Sequence, residues 1–328
     1  MSKFICIVIF IIIELVLLPV TIIGMMLFII DFAVSVIGKK MSLTTYDPMF
    51  ARWSWELLGK REDPATHKLA FALPGMSRVP VTLAFGPTLL AMCLSDYYFG
   101  MYDYPLEQSD TLFNGVLGQR TTFFDKVMQQ QLDQVEQVVI LGGGWDTRAY
   151  GMAQREGVRV FEVDAVGTQT YKLEAIKKAK IDTGNTVFAA VDFNTESWLD
   201  ALKRVDFDSS KKTYVHWEFV AVYLEPEAVA ATLQTVANDL APGSAIAFEV
   251  MGQHIIDGDT SLFLRFALWE AKQLGEGWYF GVNVEPPAEE NVAAYLQEHG
   301  LTLTNFEPLG GTDKKGRRDG AYVLAVNG

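Results

Sequence analysis

Five short apolar runs in the second half of the chain, separated by helical stretches, constrain its fold more than any other feature. They cover residues 137–141, 158–163, 186–191, 213–217 and 245–250. Val, Ile and Phe fill them without polar alternation, the pattern of strands buried on both faces. Strands joined through helices need right-handed crossovers and build a mostly parallel sheet. Two further runs, 301–306 and 321–326, close the chain around a turn-rich stretch at 310–320. So short a connection predicts an antiparallel hairpin. The expected class is therefore α/β, a doubly wound sheet of seven strands. Ahead of the first run, 110–134 reads as a helix with Leu112, Val116, Phe123, Val127 and Leu132 on one side.

The start of the chain is of another kind. Between Phe4 and Ile37 only Glu14 and Asp31 carry charge. A spanning helix needs about 20 apolar residues, whereas a cleaved signal has an apolar core of about 7–15 and a small-residue cleavage site. The run is too long for a signal and lacks that site, so residues 1–40 read as a transmembrane anchor. Pro19 and Gly24 near its middle leave a single kinked span and a tight hairpin both open. Lys39, Lys40, Arg52, Lys60 and Arg61 follow it, and the positive-inside rule then keeps the main domain cytoplasmic. Residues 41–109 read as a linker and helical cap, and 110–328 as the main domain. Within the cap, 79–94 is apolar but broken by Pro80 and Pro87. It is either a buried cap helix or a membrane-docking segment.

A net charge of −13 repels phosphate backbones, so no nucleic-acid partner is expected. Two distant cysteines, Cys6 and Cys93, make no disulfide framework. The histidines at 67, 216, 254 and 299 show no metal-ligand spacing, and no metal is expected.

The first strand ends in Leu141-Gly142-Gly143-Gly144-Trp145-Asp146-Thr147-Arg148. Glycines at the carboxyl end of strand one let a ligand approach the backbone, at the edge where open α/β sheets bind ligands. A dinucleotide fingerprint would want Gly or Ala where Thr147 stands. Asp146 would also meet a pyrophosphate, and two like charges about 4 Å apart repel by roughly 1–4 kcal/mol. S-adenosylmethionine, with its sulfonium and ammonium and no phosphate, tolerates that acid. Asp164 ends the second strand, 20 residues after Gly144, where an acid accepts from ribose hydroxyls. Asp192 ends the third and is followed by Phe193. An acid and a ring there suit an adenine amino group and its base.

These residues resemble a known family. The segments LGGGWDTRAY (141–150), FEVD (161–164), VDF (191–193) and WEFVAVYLEP (217–226) are similar to the leucine carboxyl methyltransferases. Those are S-adenosylmethionine-dependent enzymes that include O-methyltransferases of small molecules. The resemblance covers about 110–328 and implies a class I methyltransferase sheet. It implies that Gly142 and Gly144 meet the methionine moiety, Asp164 the ribose, and Asp192 and Phe193 the adenine. It also implies that Arg120, of the pair Arg120-Thr121, binds the methionine carboxylate, a bidentate task that Lys does poorly, and that Glu218 faces its ammonium. Asn194 stands where phosphatase-directed members carry an arginine, which weighs against a protein carboxyl terminus as acceptor. The first 100 residues do not match the family's usual cap.

Methyl transfer to a carboxylate needs orientation more than a base, whereas a phenol or alcohol would need one. Tyr223, five residues after Glu218, is the expected residue for orienting the acceptor, and His216 reads as structural. With an apolar leader and an apolar-rich cap, the expected acceptor is a lipophilic small molecule, methylated on oxygen at the membrane. Two other readings stay open: a membrane-tethered protein keeping the fold without catalysis, and a nicotinamide-dependent oxidoreductase.

Overall fold

The structure is a computed structural model that describes residues 2–39, 41–109, 115–191, 196–273 and 275–328. It forms two compact units, one of Met1–Tyr104 with Gly167–Asp182, the other of Pro105–Val166 with Thr183–Gly328.

The first unit is helical, with α1 (Lys3–Val36), α2 (Tyr46–Leu57), α3 (Pro64–Ala70), α4 (Arg78–Ser95) and nearly all of α6 (Val166–Ala179). Helix α1 continues through Pro19, so the hairpin left open by the sequence does not form. The reason lies in α4, which runs antiparallel along α1. The Ser77 N–H donates to Asp31 Oδ2 at 3.1 Å at one end, and Phe10 meets Tyr97 edge-on at 5.5 Å at the other. Midway, a Cβ on Gly24 would lie 2.2 Å from the Leu83 carbonyl carbon, so only glycine permits the approach. The segment 79–94 is thus a helix with one side against α1. The remaining surface of α1 is apolar and open, with Phe4 74%, Val16 71% and Val34 79% exposed. Helix α6 joins this unit through Thr168 Oγ1, which accepts from the Ser42 N–H, and through Tyr171 beneath the Lys39 ammonium at 5.3 Å.

The second unit carries β1 (Gln137–Leu141), β2 (Arg159–Ala165), β3 (Val187–Val191), β4 (Thr213–Trp217), β5 (Ala245–Met251), β6 (Leu301–Thr312) and β7 (Arg318–Asn327). Its helices are α5 (Val116–Leu132), α7 (Trp198–Lys203), α8 (Pro226–Asp239), α9 (Gln253–Ile256), α10 (Leu262–Gln273) and α11 (Ala288–Glu298). The sheet has seven strands in the order β3-β2-β1-β4-β5-β7-β6, parallel except for β7 against both β5 and β6. This is the expected mixed sheet. The closing hairpin is longer than the sequence indicated, because most of 310–320 is strand. Only 313–317 turns, around Asp313, whose Oδ1 accepts from the N–H groups of Lys315 and Arg317 at 2.8 and 2.9 Å. The predicted helix 110–134 is α5 from Val116; residues 110–114 lie outside the described ones.

The two faces of the sheet differ. Val139, Leu141, Phe161, Val163, Val215, Trp217, Phe248 and Val323 join residues of α7, α8 and α11, among them Trp198, Leu233 and Leu296, in one apolar core. Burying each such side chain contributes about 1.5–3 kcal/mol. Strand alternation sends Glu162, Tyr214, His216, Glu249 and Tyr322 to the opposite face, all buried. Helix α5 covers that face, Phe123 stacking on Tyr322 and Phe124 meeting His216. The expectation of strands without polar alternation is therefore corrected. Both faces are buried, but one carries polar and charged side chains.

Candidate active site

The carboxyl ends of β1, β2 and β4 meet above the polar face. Gly142 turns out of β1 with φ +65°, and a Cβ there would lie 2.4 Å from Val220 Cγ2. No other residue fits that turn without strain. Gly144 follows with φ +44°, and its N–H donates to Asp164 Oδ2 at 2.6 Å, while Asp164 Oδ1 accepts from Ala165 N–H at 2.6 Å. The acid that ends β2 thus holds the glycine turn that ends β1.

Arg120, on α5, is brought to the end of β4, where its Nε donates to Glu218 Oε1 at 2.6 Å. Its guanidinium carbon lies 4.6 Å from the centre of the Phe219 ring. Glu218 Oε2 accepts from Arg148 Nη1 at 2.6 Å and lies 3.2 Å from His216 Nε2. Burial alone would raise the Glu218 carboxyl, but Arg148 and Arg120 hold it well below the usual carboxylate range. Tyr223 closes a short 3-10 turn, Ala221–Tyr223, with its ring centre 6.2 Å from that of Phe219. Asp192, Phe193 and Asn194 lie outside the described residues.

Arg148 is the hub that the sequence reading missed. It is fully buried, its Nε donates to Asp125 at 2.6 Å, and its Nη1 bonds both Asp146 and Glu218. Burial would lower its guanidinium, yet Asp146, Glu218 and Asp125 keep it well above the ordinary arginine value. Tyr214 extends the network, its hydroxyl 3.2 Å from His216 Nδ1. Asp146, His216 and Glu218 also present ligand atoms within 4.8 Å of one another, the spacing of a metal centre. Arg148 already supplies a cation to both carboxylates, which leaves that grouping structural. A readable signal did exist: Glu162 and Asp164, or Tyr214, His216 and Glu218, recur at every second strand position.

The fit to a methyl donor rests on two features. The glycine turn after β1 lies against Asp164, which accepts from the Gly144 N–H. Arg120 has one nitrogen bound to Glu218 and its terminal nitrogens without a protein partner among the described residues. Residues 95–237 match the model of the leucine carboxyl methyltransferase family. A Streptomyces avermitilis protein, provisionally named an S-adenosyl-L-methionine-dependent methyltransferase, is 30% identical over 217 residues, 63% of this chain and 73% of the relative. A Mycobacterium avium protein with the same provisional name is 36% identical over 197 residues, 57% of this chain and 60% of the relative. Among solved structures, a duf574 family protein of Streptomyces avermitilis overlaps 85% of this chain and 97% of its own, with 13% identity and a TM-score of 0.48. The chain belongs to the leucine carboxyl methyltransferase family and is an enzyme that uses S-adenosyl-L-methionine as methyl donor.

Proposed function

We propose that the enzyme methylates oxygen, carboxyl or hydroxyl, of a lipophilic small molecule at a membrane, with residues 110–328 as a cytoplasmic catalytic domain of the class I kind. The observation that carries this reading is the open apolar surface of α1, a helix of 34 residues and about 51 Å. No water-exposed helix keeps so many large aliphatic side chains without a partner. A bilayer is the partner proposed for it, with residues 1–40 as anchor and 41–109 as linker and cap.

In the catalytic domain, Gly142 and Gly144 would meet the methionine moiety of the donor, Asp164 its ribose, and Asp192 and Phe193 its adenine. Arg120 would take the donor carboxylate through its terminal nitrogens. Glu218, expected at the ammonium, also orients Arg120, and Arg148 keeps Glu218 ionised. Bound S-adenosyl-L-methionine supplies a methyl group already activated on sulfonium. A carboxylate acceptor is already anionic and then needs only to be held in line, by proximity and orientation, whereas a hydroxyl would also have to give its proton to a base. Tyr223, half-buried past the end of β4, would orient that acceptor.

Two experiments test this. Asp164→Ala should weaken S-adenosylhomocysteine binding by about 1.5–3 kcal/mol, the scale of charge-assisted hydrogen bonds. Titration calorimetry on a folded variant reads it, and unchanged affinity removes Asp164 from the ribose. For the acceptor, the full chain and a form lacking residues 2–37 are compared on carboxylates and alcohols of increasing chain length. The full chain should stay with membranes through a high-salt wash, since hydrophobic insertion ignores ionic strength. It should also favour the longer acceptors. Release by salt, or methylation confined to short polar acceptors in both forms, sinks the proposal.

A further inference from the structure

Phe219 follows Glu218 with φ +56°, the left-handed region that bulky side chains avoid. Three other non-glycine residues among the described ones share a positive φ, namely Asp96, Lys180 and Asp206, and Phe219 is the aromatic among them. Something must hold it there. Its N–H donates to Glu249 Oε2 at 2.6 Å across the gap between the β4 end and β5. In that conformation the ring covers the Arg120 guanidinium at 4.6 Å and meets Trp278 and Tyr223 edge-on at 5.9 and 6.2 Å.

Glu249 is itself out of place for a core strand residue. It is 1% exposed, and its second oxygen, Oε1, has no hydrogen-bond partner among the described residues. The groups facing it are Arg120 from α5, Glu218 at the end of β4 and Tyr322, its register neighbour on β7. Leaving a buried carboxyl half-satisfied destabilises a fold, so its retention calls for a use beyond packing.

We propose that Glu249 is a positioning residue for methyl transfer: by taking the Phe219 N–H it fixes the left-handed turn after β4 and so the ring that sets Arg120 toward the donor carboxylate. The proposal rests on the reading of Arg120 as the donor's carboxylate ligand. Glu249 touches neither donor nor acceptor and acts through Phe219.

The test is titration of the full chain in detergent with S-adenosylhomocysteine, together with steady-state kinetics and thermal melts. Glu249→Leu fills the site with an apolar side chain and removes the acceptor. It should remain folded yet bind tenfold or more weakly, with the KM for the donor rising more than kcat falls. Glu249→Gln keeps a carbonyl for the Phe219 N–H and should stay within threefold of the wild type. Phe219→Ala and Phe219→Gly should reproduce the loss, and Glu249→Leu should add nothing in either background. If Asp164→Ala weakens binding while the Phe219 variants bind like the wild type, the positioning role is overturned and the donor site stands. If Asp164→Ala and Arg120→Gln have no effect either, the donor site itself is wrong and the proposal falls with it. Should Glu249→Leu not fold, the Phe219 variants and Glu249→Gln still decide. A loss in Glu249→Gln equal to that in Phe219→Ala would also overturn it, because the carbonyl would then not be what holds the turn.

Discussion

Replacing Arg148 by methionine should destabilise the protein by about 3–5 kcal/mol, the scale for breaking a buried ion network from one side. The cation leaves, and Asp125, Asp146 and Glu218 stay behind, buried, around an apolar side chain of similar length. Lost packing is not the cause, because methionine fills most of the same space. The sign of the pH dependence gives a second check. With Arg148 present, Glu218 is held well below its ordinary range, so its contribution to stability exists above that range and is lost as pH falls. Without Arg148 that contribution shrinks, and the gap between variant and wild type should narrow in acid. Urea unfolding of both proteins in detergent, at pH 7 and pH 4, measures it. A loss under about 1 kcal/mol at pH 7 would mean the carboxylates find water or protons, and that Arg148 is not the hub.

That network explains which parts of the molecule could be read from residues alone. The apolar face of the sheet was legible, because Val139, Phe161, Val215 and Phe248 need no partner beyond one another. Strands β1 and β4 were bounded to the residue for the same reason. The polar face was not, since His216 and Glu249 look like interruptions until Arg148 and Arg120 arrive from elsewhere in the chain. Sequence spacing carries no record of a pair such as Arg120 and Glu218, which lie 98 positions apart. The places of Gly142 and Asp164 were legible because a glycine turn and an acid at strand ends are local features of the sequence. Gly24 is the opposite case. It read as a possible hairpin turn, yet its meaning is the close passage of α4, more than 50 residues further on. The left-handed turn at Phe219 left no trace in composition, since glycine or asparagine is the usual sign of one.

The pH dependence of Glu249 should be opposite to that of Glu218. Burial raises the Glu249 carboxyl from its ordinary 4.5 to about 8, against the lowering pull of the Phe219 N–H and of Arg120. Between those values the native state binds a proton that the unfolded chain has released, so stability is full below about pH 4.5 and declines as pH rises toward 8. A rise of that size corresponds to a loss on the order of 5 kcal/mol across the range. Glu249→Gln keeps the carbonyl and cannot ionise, so its stability should be nearly flat over the same range. Urea midpoints for the two proteins at pH 5.5, 6.5, 7.5 and 8.5 read the difference directly. Parallel curves would mean that Glu249 is already ionised at pH 5.5, with Arg120 dividing its charge between Glu249 and Glu218. A neutral Glu249 at working pH leaves Glu218 as the single anion paired with Arg120 and keeps the Phe219 turn closed through a carbonyl. That arrangement frees the two terminal nitrogens of Arg120 for a ligand carboxylate, which a second ionised acid would otherwise hold.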